Sequence, residues 1–188
     1  MGSNKEDLIR GILQELGEDV NREGLKETPA RIVRSWNEIY AGYRQKVASI
    51  FTTFTETNGY SQLVVCKNIE LYSTCEHHML PFFGVAHVAY LPDEKVIGLS
   101  KLPRLVDIFA RRLQIQERIG EQVTDAIMEH LKPKGAACII EAVHMCTRMR
   151  GVQKQNSSMV TASLKGCFLE DLAIRTELMQ LINLKSNA

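Results

Sequence analysis

The residue types best suited to chemistry stand in two short stretches of this chain. Cys75, His77 and His78 lie in "STCEHHMLPFFG" (73–84), and His144 and Cys146 close "AACIIEAVHMC" (136–146). Thiolates and imidazoles suit Zn²⁺, and imidazole is also the side chain that moves protons near neutral pH. If 136–146 is a strand, period-2 alternation puts Cys138, Ile140, Ala142, His144 and Cys146 on one face, so His144 and Cys146 point the same way. With Cys75 and one of His77 or His78 they make a Cys, Cys, His set that leaves a fourth position for water. Cys66, Cys138 or Cys167 as a fourth protein ligand would make a closed structural site instead. Each fragment alone has a plainer explanation, a packed histidine beside a core cysteine.

A second cluster is cationic. In "GLSKLPRL" (98–105) Ser100 reads as a helix N-cap with Lys101 and Arg104 in the first turn, where cations oppose the helix dipole. An anion bound there would reverse that penalty, and Arg148, Arg150 and Lys154 follow directly on the ligand strand. The alternative for each charge is a solvated basic face.

These residues need elements to position them. Leu8, Ile9, Ile12, Leu13 and Leu16 predict an amphipathic helix over 5–16. Thr28 as N-cap, Pro29, and the stripe Ile32, Val33, Trp36, Ile39 and Tyr40 predict a second. Gln62–Leu71 and Gly84–Leu91 read as paired strands, with the cysteine-histidine segment in their connection. Two helices follow, the first from Ser100 and the second carrying Ile119, Val123, Ile127 and Leu131 up to a stop at Lys132-Pro133. Ala136–Cys146 and Met159–Leu164 return to strand, and a last helix covers about 169–184. The order strand, strand, helix, helix, strand, strand predicts an α+β domain, an antiparallel sheet with helices on one face and the N-terminal helices outside it. Residues 1–50 are expected to be a helical region and 51–188 the catalytic domain, in one structural unit overall.

Bulk properties narrow the class. The chain has 188 residues, 45% of them hydrophobic, which suits one domain with a substantial core. Lys plus Arg number 23 against 22 Asp plus Glu, so the diffuse positive charge of a nucleic-acid binder is missing and an anionic ligand must meet a local cluster. The polar start Met1–Asp7, the lack of a long apolar run and five cysteines without a secretory signal predict a cytoplasmic protein with reduced thiols and no membrane partner.

The stretches "ETPARIVRSW", "STCEHHMLPFFG", "VIGLSKLPRLVDIFARRLQIQERI" and "VHMCTRMRGV", in this order and spacing, resemble the GTP cyclohydrolase I family in its zinc-dependent form. The resemblance spans most of the chain and is weak only in the first few residues and the last helix. It implies the tunnelling fold, a homodecamer with active sites at subunit interfaces, and conversion of GTP and water to formate and 7,8-dihydroneopterin triphosphate, at the start of folate or tetrahydrobiopterin synthesis.

By resemblance, Cys75, His78 and Cys146 are the Zn²⁺ ligands, and the metal activates a water for attack on C8 of guanine. His144 is the residue expected to protonate N7, and His77 and Ser100 lie near the ribose for the Amadori rearrangement and ring closure. Glu117 holds guanine, since a carboxylate accepts hydrogen bonds from N1 and the 2-amino group together. Lys101, Arg104, Arg150 and Arg31 meet the triphosphate. The lack of a Gly-x-x-x-x-Gly-Lys-[Ser/Thr] loop fits an enzyme that leaves the phosphates intact. Two rival readings follow from the same residues. A nitrile reductase of the queuosine pathway would rely on a nucleophilic cysteine and NADPH. A zinc-stabilised binding module would have no use for His77 and His144.

Overall fold

The computed structural model describes residues 4–51, 53–54 and 59–184, so the expected polar start lies partly outside the described residues. The chain groups into two compact units, Met1–Ala41 and Gly42–Ala188. In the first, α1 (Lys5–Glu15) and α2 (Thr28–Ile39) fall where the apolar spacing predicts. Asn4 caps α1, its Oδ1 accepting from the Glu6 amide at 3.3 Å. Thr28 is the first residue of α2 rather than its cap, and its hydroxyl donates back to the Gly24 carbonyl at 3.3 Å. Arg31 stands in the first turn of α2.

The second unit runs β1 (Thr53–Phe54), β2 (Val64–Cys75), β3 (Pro81–Leu91), β4 (Val96–Ile97), α3 (Lys101–Ala110), β5 (Leu113–Gln114), α4 (Gln116–Leu131), β6 (Gly135–His144), α5 (Met145–Arg148), β7 (Met159–Gly166), α6 (Cys167–Glu170) and α7 (Leu172–Asn183). The main sheet has the order β5-β2-β3-β6-β7 and is antiparallel except where the short β5 joins β2 in parallel. β1 and β4 form a separate two-stranded ribbon.

Alternation along the strands explains the layers. Leu71, Phe82, Ala86, Val88, Tyr90, Cys138, Ile140 and Ala142 face α3 and α4, which return Leu102, Leu105, Ile119, Val123 and Ile127 to a common core. The stripe expected on α4 is fully used, and Lys132 ends the helix in the left-handed conformation before Pro133. The neighbours on the other pleat, Ala89, Ala137 and Ile139, leave an apolar patch that Phe168 and Leu178 of the last helices cover. The main helical layer thus lies on one face, as expected, with a smaller cluster behind it.

β2 and β3 are longer than the hydrophobic runs suggest, because they extend toward each other until only residues 76–80 connect them. The run Met79–Phe83 is accordingly not buried as a block. Phe82 is in the core, whereas Phe83, on the opposite pleat, is exposed and stacks on exposed Tyr72 at 6.4 Å.

Gly84 lies on β3 opposite Ala142 of β6. A Cβ at that position would meet the Glu141 carbonyl oxygen at 2.0 Å and Ala142 Cα at 2.6 Å, both backbone atoms that cannot swing aside. Gly84→Ala should therefore destabilise the fold by about 1–3 kcal/mol as the strands are pushed apart. Urea unfolding would read this as a lower midpoint at unchanged slope, and an unchanged midpoint would contradict the strand geometry.

Candidate active site

Register brings the two sequence motifs together. Thr74 pairs with Pro81 across β2 and β3, and Phe82 pairs with His144 across β3 and β6. The end of β2, the start of β3 and the end of β6 therefore meet at one end of the sheet.

Cys75 is the last residue of β2, and the chain turns tightly after it. Its amide donates to the Leu80 carbonyl at 2.8 Å, and the Met79 amide donates to the Cys75 carbonyl at 2.8 Å, with Met79 held at φ +54°. β5 grips the turn from outside, since the Glu76 amide donates to the Gln114 carbonyl at 3.0 Å. The Glu76 carboxylate is then clasped by both terminal nitrogens of Arg118 from α4, Nη2 to Oε1 at 3.0 Å. A fork-to-carboxylate pair of this kind fixes orientation as well as distance.

β6 ends at His144, and the next four residues form α5. Cys146 thus does not share a strand face with His144, as alternation alone predicts. A helical turn delivers it to the same side, where Cys75, His78 and Cys146 place their ligand atoms within 4.8 Å of one another. Cys75 is buried, Cys146 half-buried and His78 exposed. A tetrahedral centre with Zn–S bonds of about 2.3 Å and Zn–N bonds of about 2.0 Å separates its ligand atoms by about 3.5–3.8 Å. The distance of 3.7 Å from Cys75 Sγ to His78 Nδ1 lies in that range, so the donor set fits such an ion. His77 Nδ1 is 4.0 Å from the same sulfur but lies outside the three-way group, and its side chain is 65% exposed. Cys66, Cys138 and Cys167 do not join the group among the described residues. Cys138 is fully buried in the core, which pushes its thiol up to about 12 and leaves it inert.

Burial pushes the Cys146 thiol up, and the adjacent Cys75 sulfur adds to this, while Arg150 opposes it. A divalent cation between the two sulfurs would invert that balance and favour both thiolates.

His144 lies flat on Phe82, rings 4.5 Å apart and 7° from parallel, and its Nε2 is 2.9 Å from Gln116 Oε1. Burial holds the imidazole below its ordinary value, and the nearby Glu117 carboxylate pulls the other way. Glu117 itself is exposed at the start of α4. Ser100 precedes α3 but has helical backbone angles and no capping hydrogen bond from its side chain, so the expected cap is not made. Ser100 instead lines an open cavity of about 800 Å³ with Arg104, Arg44, Lys46 and Ser49. Lys101 opens α3, and Arg150 follows α5. Arg31 belongs to the first compact unit. Gln116, Glu76 and Arg118 carry no signal in sequence, since only the folded chain reveals their partners.

The GTP cyclohydrolase I family profile matches residues 5–183 of this chain. The chain belongs to the GTP cyclohydrolase I family. A GTP cyclohydrolase 1 of Wolinella succinogenes is 53% identical over 174 residues, 93% of each chain. One of Campylobacter jejuni subsp. doylei is 51% identical over 178 residues, 95% of this chain and 94% of that one. Among solved structures, an archaeosine synthase QueF-Like in the apo form aligns with TM-score 0.48 at 14% identity, covering 57% of this chain and 96% of that one. The α+β arrangement of this cyclohydrolase-family chain is the tunnelling fold.

The Arg118 clasp holds the Glu76 carboxyl below its ordinary 4.5. A depressed folded value means stability that is present above pH 4.5 and lost as the pH falls through the folded value. Arg118→Met should remove this component. The gap in urea midpoint between wild type and variant, present above pH 4.5, should shrink progressively as the pH falls below it, and a gap of constant size would rule out the pair as its source.

Proposed function

We propose that this chain converts GTP and water to formate and 7,8-dihydroneopterin triphosphate, the GTP cyclohydrolase I reaction, in the first step of pteridine synthesis. The observation that carries this is the convergence of Cys75, His78 and Cys146 beside His144 in a chain of that family. Residues 51–188 would carry the chemistry and 1–50 form a helical region.

Cys75, His78 and Cys146 would hold one Zn²⁺ per subunit, which when bound supplies Lewis-acid activation of water for attack at C8. Around it, His144 holds and delivers a proton at guanine N7, supported by its fixed stacking on Phe82 and its nearness to Glu117. Glu117 accepts from N1 and the 2-amino group and so selects guanine. His77, exposed and unconstrained by the metal group, and Ser100, on an open cavity, serve the ribose steps. Lys101, Arg104, Arg150 and Arg31 neutralise the triphosphate.

The chain would act as a cytoplasmic homodecamer with active sites at subunit interfaces, and no nucleic acid or membrane takes part. Two observations support assembly. Among the described residues β7 is an unpaired edge of the main sheet, and the exposed Tyr72–Phe83 stack is an apolar patch of the kind interfaces cover. Among the described residues no helix is long and apolar enough to cross a membrane.

Zinc-loaded protein incubated with GTP should release formate in step with the rise of pterin absorbance. His144→Ala should lower kcat by about 10²–10⁴-fold. Tightly bound zinc with no turnover of GTP would overturn the reading in favour of a structural metal site. Separately, Cys146→Ser should lose zinc to a chelator far more readily than wild type, as measured by metal content after dialysis, whereas Cys138→Ser should retain it. Equal retention in both variants would remove Cys146 from the ligand set.

A further inference from the structure

The Gln116 side chain is fully buried at the start of α4, and its two ends face different kinds of partner. Nε2 lies 3.0 Å from the Ile140 carbonyl oxygen, 3.0 Å from the Met159 carbonyl oxygen and 3.1 Å from Thr161 Oγ1. A backbone carbonyl only accepts, so the amide NH₂ belongs at this end. Turned over, the amide would set its oxygen against two carbonyl oxygens in a dry interior, with a desolvation cost and no donor to offset it. Oε1 must then be the atom 2.9 Å from His144 Nε2. An amide oxygen also only accepts, so His144 Nε2 must carry a hydrogen.

We propose that Gln116 is a positioning residue: it fixes His144 as the Nε2–H tautomer and makes Nδ1 the ring nitrogen that exchanges a proton with substrate. Phe82 completes the restraint by holding the ring plane. Rotating the ring by half a turn would bring a C–H bond against Gln116 Oε1 and forfeit the hydrogen bond. In the acid role the imidazolium releases the Nδ1 proton to a substrate nitrogen and becomes neutral. In the base role the Nδ1 lone pair takes a proton back, and the Nε2 hydrogen stays on the Gln116 oxygen throughout.

The proton-transfer role of His144 rests on the cyclohydrolase reading, whereas the tautomer rests on hydrogen-bond chemistry alone. The test is ¹⁵N spectroscopy of histidine-labelled, zinc-loaded full-length protein, with the His144 signals assigned by their loss in His144→Ala. Wild type should show Nε2 bearing a slowly exchanging, hydrogen-bonded proton and Nδ1 without one. Gln116→Met removes the acceptor and should lose that signature, with kcat down about 10- to 100-fold and little change in KM for GTP. Gln116→Glu keeps an acceptor oxygen and should recover part of both.

Wild type with its proton on Nδ1 would overturn the proposal even if every variant failed to fold. So would a folded Gln116→Met protein with the wild-type His144 signature and wild-type kcat. An Nε2–H signature present in wild type and lost in Gln116→Met, where the wild-type protein itself does not turn over GTP, would keep the tautomer lock and sink the cyclohydrolase reading instead.

Discussion

The pairing register of β3 with its two neighbours is the constraint on which the rest of the site depends. β3 pairs antiparallel with β2 on one side, with a bulge between Cys66 and Ile69, and in an unbroken ladder with β6 on the other. A slip of one residue on either side would turn Phe82, Ala86, Val88 and Tyr90 out of the core that faces α3 and α4. Apolar burial therefore sets the register, and the register in turn sets the chemistry. With Thr74 opposite Pro81 and Phe82 opposite His144, the cysteine-histidine turn and the His144 imidazole meet at one end of the sheet. Gly84 serves the same end, because any side chain there would collide with the backbone of β6.

The start of α4 is the second organising element. Successive residues on a helix point about 100° apart, so three neighbours can reach three different surroundings. Gln116 turns inward to the carbonyls of β6 and β7 and to His144. Glu117 stays exposed near the imidazole, and Arg118 reaches across to the Glu76 carboxylate in the cysteine-histidine turn. One helical turn thereby ties the His144 ring, the Glu117 carboxylate and the strand end that carries Cys75 together. The burial of Gln116 is affordable only because both ends of its amide are satisfied.

The cysteines illustrate how environment sorts identical side chains. Cys138 lies deep between sheet and helices, where a thiolate would be uncompensated and the thiol stays protonated. Cys75 and Cys146 stand at the end of the sheet beside His78, in a group that could hold a cation. Composition treats these thiols alike, and their separation comes from the position of each along its strand or helical turn.

Element order, the stripe of α4, its stop at Lys132 and the core faces of the strands are all legible in the sequence, because they follow from hydrophobic period and turn chemistry over a few neighbouring residues. The motifs also sufficed for the family, since "CEHH" and "VHMC" with their intervening spacing form a specific pattern. Other features needed the folded chain. Alternation aimed Cys146 along the strand with His144, yet a change to helical geometry after His144 is what brings it to Cys75. His77 and His78 are equally good ligands by type, and both lie near the same sulfur. Only the course of the turn separates the one in the three-way group from the one left exposed. Gln116 and Arg118 look like ordinary helix residues until β6, β7 and the Glu76 turn are set against them. Local sequence determined which elements form and which faces are apolar; the tertiary structure decided which polar atoms meet, because hydrogen bonds and metal geometry depend on distances between residues far apart in the chain.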